Sequence, residues 1–209
     1  MVSKFRVRYI FRPLVNLIAK WLIRIRVTPN IATIIMLCFS VLSFVSLAFF
    51  HNLLCFSIFV FVTGIMDGCD GAIARLTSKS TKFGGFFDSF MDRISEFFIF
   101  FGLFIFSQDQ ILWNCIDMKL IIFASLLTSI MISYSRARAE IFFKGNFDVG
   151  LMARSERLFY IVITSIIGFF FDFLNEFLFV YMWLVIGTFL FRLIHIYNIL
   201  KKIDTQIKE

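Results

Sequence analysis

Asp67-Gly68-Cys69-Asp70-Gly71-Ala72-Ile73-Ala74-Arg75 and, after a short connection, Gly84-Gly85-Phe86-Phe87-Asp88-Ser89-Phe90-Met91-Asp92 set four carboxylates inside apolar sequence. Asp67 and Asp70 are three residues apart and Asp88 and Asp92 four apart, so each pair shares one helix face. The polar connection over 76–85 turns the chain back and brings the two faces opposite each other. An ionised side chain at membrane depth costs on the order of 3 kcal/mol unless it pairs, binds an ion or faces water. Four converging carboxylates also repel one another unless cations lie between them. An all-oxygen donor set suits Mg²⁺, Mn²⁺ or Ca²⁺, and no His or Cys is placed to favour zinc. Gly68, Gly71 and Ala74 keep one face slim for a nucleotide, although Gly64, Gly68 and Gly71 are also spaced for helix packing; Arg75 offers a fork to a phosphate, and Thr81 offers a hydroxyl.

Outward from this stretch the chain is a succession of apolar runs. Of the 209 residues 60% are hydrophobic, above the roughly one half of soluble domains, and mean hydropathy is +0.89. Spans are expected at 31–50, 54–75, 86–107, 118–136, 157–174 and 177–200. Residues 3–26 interleave Arg6, Arg8, Arg12, Lys20 and Arg24 with Tyr9, Leu14, Leu17 and Trp21, the pattern of a basic amphipathic helix lying in the membrane interface. Val27-Thr28-Pro29-Asn30 ends that helix, with Thr28 or Asn30 as cap of the next. The expected architecture is thus an all-α integral membrane protein of six transmembrane helices plus an N-terminal interfacial helix. It forms a single domain over 1–209, with 1–27 juxtamembrane and 31–200 the bundle. No cleavable signal peptide is expected. The cysteines Cys38, Cys55, Cys69 and Cys115 have neither metal-ligand nor disulfide spacing. The net charge of +7 points to anionic headgroups and phosphate-bearing substrates, not nucleic acid.

The order Asp67-x2-Asp70-Gly71-x2-Ala74-Arg75-x8-Gly84-x3-Asp88-x3-Asp92 resembles the signature of the CDP-alcohol phosphotransferase family. The likeness extends to the six-span layout, the amphipathic N-terminal helix and the run Thr28-Pro29-Asn30-x2-Thr33, and so covers nearly the whole chain. It implies that Asp67, Asp70 and Asp88 ligate two Mg²⁺ or Mn²⁺ ions, with Asp92 both ligand and general base. It implies CDP-lipid contacts from Gly71, Arg75, Thr81 and Gly84, with Asn30 and Thr33 nearby, and assembly as a homodimer. The activity implied is phospholipid biosynthesis, in which a phosphatidyl or archaetidyl group passes from CDP-diacylglycerol or CDP-archaeol to an alcohol and CMP is released.

For the alcohol, Tyr134-Ser135-Arg136-Ala137-Arg138-Ala139-Glu140 and Gly150-Leu151-Met152-Ala153-Arg154-Ser155-Glu156-Arg157 supply arginines beside the same membrane face. Arg136, Arg154 and Arg157 are expected to face inward and clasp a phosphate on the acceptor. These segments resemble those of prokaryotic synthases that use inositol 1-phosphate, with Arg136 where a lysine is common. Glycerol 3-phosphate is the alternative acceptor. Two other classes fit less well. Intramembrane prenyltransferases resemble a pattern with a second, distant aspartate cluster that this chain lacks. A divalent-cation transporter needs polar residues lining a path across the other spans, which offer almost none.

Basic residues set the orientation. Lys79, Lys82, Arg138, Lys144, Arg154, Lys201 and the N-terminal run share one side, whereas the other carries Lys119 with Asp109, Asp117, Asp172 and Glu176. Both termini and the aspartates are therefore expected on the cytoplasmic side of a prokaryotic cell membrane. Tags at either terminus and in the 76–85 connection should be reached from the cytoplasm, and a tag near residue 112 from the opposite side. Termini labelled on opposite faces would contradict six spans.

Overall fold

Three of the long helices start at a capping side chain. In the computed structural model, which describes residues 7–142, 147 and 149–208, Thr28 caps α3 (Pro29–Ala48) by accepting from the Ile31 amide at 3.4 Å, with Pro29 in the first turn. Asn52 caps α4 (Leu53–Leu76) through the Cys55 amide at 2.9 Å. Thr81 caps α5 (Lys82–Phe106) through the Gly84 amide at 2.9 Å. Of the two cap candidates before the first long helix, Thr28 serves and Asn30 lies inside the helix.

The remaining elements are α1 (Val7–Ile10), α2 (Arg12–Arg24), α6 (Met118–Phe142), α7 (Arg154–Phe171) and α8 (Leu174–Lys208). Strands β1 (Ile111–Leu112) and β2 (Ile116–Asp117) form a small antiparallel hairpin between α5 and α6. Among the described residues, four helical stretches are long and apolar enough to cross a membrane: Pro29–Ala48, Leu53–Leu76, Met118–Phe142 and Leu174–Ile203. Serine and threonine hydroxyls inside these helices bond back to their own backbone, as Ser40 does to Leu37 O at 2.7 Å and Ser125 to Ile121 O at 2.7 Å. Each thereby satisfies itself where no water is available.

The N-terminal run differs from the single helix expected over 3–26. Residues 3–6 lie outside the described part, and the rest is broken between Ile10 and Arg12. Pro13, in the first turn of α2, has no amide to donate back across the break. Several helices also outrun the apolar stretches that announced them: α5 begins at Lys82, α6 continues to Phe142 and α8 to Lys208. Hydropathy marks only the apolar part, whereas backbone hydrogen bonding carries a helix on through polar residues.

α3 is the platform of the bundle. It packs extensively on both α4 and α5, which touch each other far less. α7 packs on α4, α8 on α6, and α2 lies against α4. A small apolar cluster of Ala19, Leu22, Ala32, Met36, Met66, Cys69 and Ile73 joins α2, α3 and α4. Gly68 sits under α2, where an added Cβ would meet Val15 at 3.1 Å. Its slim profile therefore serves helix packing and not nucleotide approach, because α2 already covers that face. The larger core is built from α4 to α8 around Phe56, Ile99, Phe100, Leu103, Ile121, Ile161 and Tyr181.

Gly102 lets α5 meet α3 backbone to backbone, since a Cβ there would lie 3.3 Å from the Phe44 Cα. Backbone cannot yield as a side-chain tip does. Gly102→Val should therefore cost about 1–3 kcal/mol through overpacking and lower the Tm of the detergent-solubilised protein. An unchanged Tm would show that the α3–α5 spacing is looser than described.

Candidate metal centre

α4 and α5 carry their aspartates at the ends joined by the 76–85 connection, so both pairs face the start of α3. One carboxylate oxygen each from Asp67, Asp88 and Asp92 lies within 4.8 Å of the others, a spacing that a shared cation would bridge. Asp88 Oδ1 is buried with no hydrogen-bond partner in the described structure. Asp70 is more deeply placed, 5% exposed, and faces Asp88. The Thr33 hydroxyl of α3 lies 3.0 Å from Asp70 Oδ2 and 3.2 Å from Pro29 O, so one proton serves two acceptors. The donor set is wholly oxygen, and Asp88 offers a lone pair with nothing to meet it. That fits a hard divalent ion.

Positive charge reaches two of the same carboxylates from α7. Arg154 Nη1 pairs with Asp67 Oδ1 and, at 2.6 Å, with Asp92 Oδ1. Its Nη2 donates to Ser95 Oγ at 2.8 Å and lies 3.7 Å from Met36 Sδ. One guanidinium thus ties α7 to α4, α5 and α3. Arg93 offers a longer second contact, 3.6 Å from Asp92 Oδ2.

The expected nucleotide contacts fall into neighbouring groups. Arg75 lies over Gly71, its Nη1 3.2 Å from where a Cβ would stand. Asn30, Thr81 and Gly84 come together at the start of α5, where a Cβ on Gly84 would meet Thr81 Oγ1 at 2.9 Å and Asn30 Oδ1 at 3.5 Å. An added side chain there would have to shift the Thr81 hydroxyl.

The three arginines expected at the acceptor are not brought into one pocket. Arg154 is in the aspartate centre. Arg136 is exposed on α6 and pairs with Glu140 at 2.8 Å. Arg157 is 1% exposed, and each of its three nitrogens already has a partner. Nε donates to Glu96 Oε1 at 2.9 Å, Nη2 to Glu96 Oε2 at 3.1 Å and Nη1 to Met152 O at 3.2 Å. The Arg157 guanidinium is thus turned to Glu96 and Met152 inside the protein, and an incoming phosphate would have to displace these partners.

Sequence reasoning gave no role to Ser95 or Arg192. Arg192 of α8, 2% exposed, donates to Val149 O at 2.8 Å and to Ile132 O at 3.0 Å. It holds the segment before α7 against α6, helped by Thr188 Oγ1, which accepts from the Met152 amide at 3.3 Å. A lone arginine in an apolar run was the available signal.

Residues 26–194 match the family model described as CDP-alcohol phosphatidyltransferase. The chain is 37% identical over 167 residues to the archaetidylinositol phosphate synthase of Pyrococcus horikoshii, covering 79% of this chain and 82% of that protein. It is 35% identical over 164 residues to the phosphatidylinositol phosphate synthase of Mycobacterium tuberculosis, covering 77% and 72%. Crystal structures of the latter superpose with a TM-score of 0.76 with CDP-DAG bound (27% identity; 88% of this chain, 94% of that one). With manganese and citrate the TM-score is 0.77 (27% identity; 88% of each chain). The matched region contains every aspartate of the centre, and this chain belongs to the CDP-alcohol phosphatidyltransferase family.

Proposed function

We propose that this protein transfers the phosphatidyl or archaetidyl group of a CDP-activated lipid to the hydroxyl of inositol 1-phosphate, releasing CMP. The observation that carries the reading is the meeting of Asp67, Asp88 and Asp92 oxygens within 4.8 Å, inside the motif of the matched family. The choice of acceptor is supported by the likeness to inositol phosphate synthases and by Arg154 standing at the aspartate centre. Glycerol 3-phosphate is the second reading, since it presents the same phosphate to an arginine.

Asp67, Asp88 and Asp92 would hold one Mg²⁺ or Mn²⁺ ion, and Asp70 beside Asp88 extends the set to a second. When bound, such ions supply countercharge to a pyrophosphate and polarise the bond to the leaving group. The chain's own residues do the rest. Arg75, with Gly71 beneath it, and the Asn30–Thr81–Gly84 group hold the CDP moiety, with Thr33 steadying Asp70. Arg154 receives the acceptor phosphate, and Arg136 would join it only by leaving Glu140. Asp92 takes the proton of the attacking hydroxyl. The acceptor oxygen bonds the lipid-bearing phosphorus as the bond from that phosphorus to the CMP oxygen breaks, and the electron pair leaves with CMP.

The membrane arrangement proposed with this chemistry is a single unit with six spans, α3 to α8, with both termini and the aspartates at the cytoplasmic face of a prokaryotic cell membrane. α2 lies in the interface, a reading supported by its exposed Leu17 and Trp21 beside Arg12, Lys20 and Arg24. The proposed assembly is a homodimer.

Purified protein with CDP-diacylglycerol or CDP-archaeol should release CMP fastest with inositol 1-phosphate, and slowly or not at all with inositol or serine. A preference for glycerol 3-phosphate would move the assignment to the second reading. Asp92→Asn should retain nucleotide binding but lose about 10²–10⁴ in turnover, the usual contribution of a general base. Near-normal CMP release by that variant would remove Asp92 from proton transfer.

A further inference from the structure

α5 and α7 are joined by side chains and not by backbone packing, since they are absent from the helix pairs in substantial contact. Three successive levels connect this part of the bundle. At the polar end, Asp92 of α5 meets Arg154 of α7 at 2.6 Å. One turn deeper, Glu96 meets Arg157 in a two-pronged pair at 2.9 and 3.1 Å, with the side chains 2% and 1% exposed. One further turn in, Phe100 and Tyr160 both pack on Tyr181 of α8, with ring centroids 5.8 and 5.4 Å away, and close the ion pair off from the apolar core. The spacing is that of helix turns on both sides: 92, 96 and 100 on α5, and 154, 157 and 160 on α7.

The two polar levels differ in what else claims them. The carboxylates that Arg154 holds belong to the set a cation would share, so that level is exposed to exchange with ions and substrate. Glu96 is outside that set. Among the described residues, its bond to Arg157 is the polar link between α5 and α7 that involves neither Arg154 nor a carboxylate of that set. Arg157 also donates to Met152 O, fixing where α7 begins. A buried ion pair contributes little net stability compared with apolar residues of the same size, so its retention here needs another reason.

We propose that Glu96 and Arg157 are positioning residues. Their bond sets the register of α7 on α5 so that Arg154 presents its guanidinium to the acceptor phosphate beside Asp92. This rests on the CDP-lipid transfer reading for its assay but not on the identity of the acceptor. Misplacing a binding group by about 1 Å costs up to roughly a hundredfold in rate.

The test compares Glu96→Gln, Arg157→Gln, Arg157→Lys and the doubles Glu96→Gln/Arg157→Gln and Glu96→Met/Arg157→Met with the parent. It uses whichever acceptor supports CMP release by the parent, so failure of inositol 1-phosphate as substrate is seen separately. Glu96→Gln and Arg157→Gln should each lower kcat/KM for the acceptor by about ten- to a hundredfold. The Gln/Gln double should be no worse than either single. KM for the CDP-lipid, and Mn²⁺ affinity measured by electron paramagnetic resonance, should stay close to the parent's, because their ligands lie on α3, α4 and α5. Glu96→Met/Arg157→Met should keep the parent's Tm and still show the acceptor defect. If that double fails to fold, the folded Arg157→Lys variant decides, with partial acceptor loss expected. The proposal is overturned if the Met/Met double or, failing it, Arg157→Lys has parental acceptor kinetics. It is equally overturned if Glu96→Gln spares acceptor use while Arg157→Gln abolishes it, the pattern of an arginine that binds the phosphate itself.

Discussion

Mutual repulsion among the carboxylates of Asp67, Asp70, Asp88 and Asp92 is the constraint around which this bundle is arranged. Two helices with long apolar stretches bring three of these groups to within 4.8 Å, in surroundings where unpaired charge is costly. Each solution visible in the structure comes from a different element. α3 offers the Thr33 hydroxyl to Asp70, and α7 sends Arg154 between Asp67 and Asp92. What these leave unanswered, Asp88 Oδ1 above all, is what a divalent ion would satisfy.

The helix packing follows from that demand. α4 and α5 lean on α3 in preference to each other, which frees their polar ends to face across a gap of ion size. The close passage of α5 over α3 at Gly102 holds them at that spacing. α2 caps the outer side of α4 over Gly68. Polarity then falls turn by turn into the bundle, from the carboxylate centre through the Glu96–Arg157 pair to Phe100, Tyr160 and Tyr181. The membrane interior is closed off from the polar end within a few turns of helix.

Sequence made the aspartate centre readable because its information is local. Each pair lies within one helix turn, the returning connection is short, and Thr28 marks a helix start by capping chemistry that acts over three residues. The break before Pro13 was readable in principle from the proline alone and was masked by the continuous basic and apolar alternation around it. The role of Arg157 was not readable. Its spacing from Arg154 is the same whether it reaches a ligand or a protein carboxylate, and the carboxylate it meets is 61 residues away. Gly68 shows the same limit: a small residue announces close approach but not by what, and here the answer was Val15 of a helix 53 residues earlier in sequence.

The central claim, that these aspartates form a two-ion centre, is tested most directly by counting ions. Mn²⁺ titrated into the purified protein in detergent, with bound and free ion separated by electron paramagnetic resonance, should saturate at two ions per chain with CDP-lipid present. Replacing Asp88 by Asn should remove that binding without unfolding the bundle. Saturation at one ion per chain, or two ions still bound after Asp88 is replaced, would contradict the account.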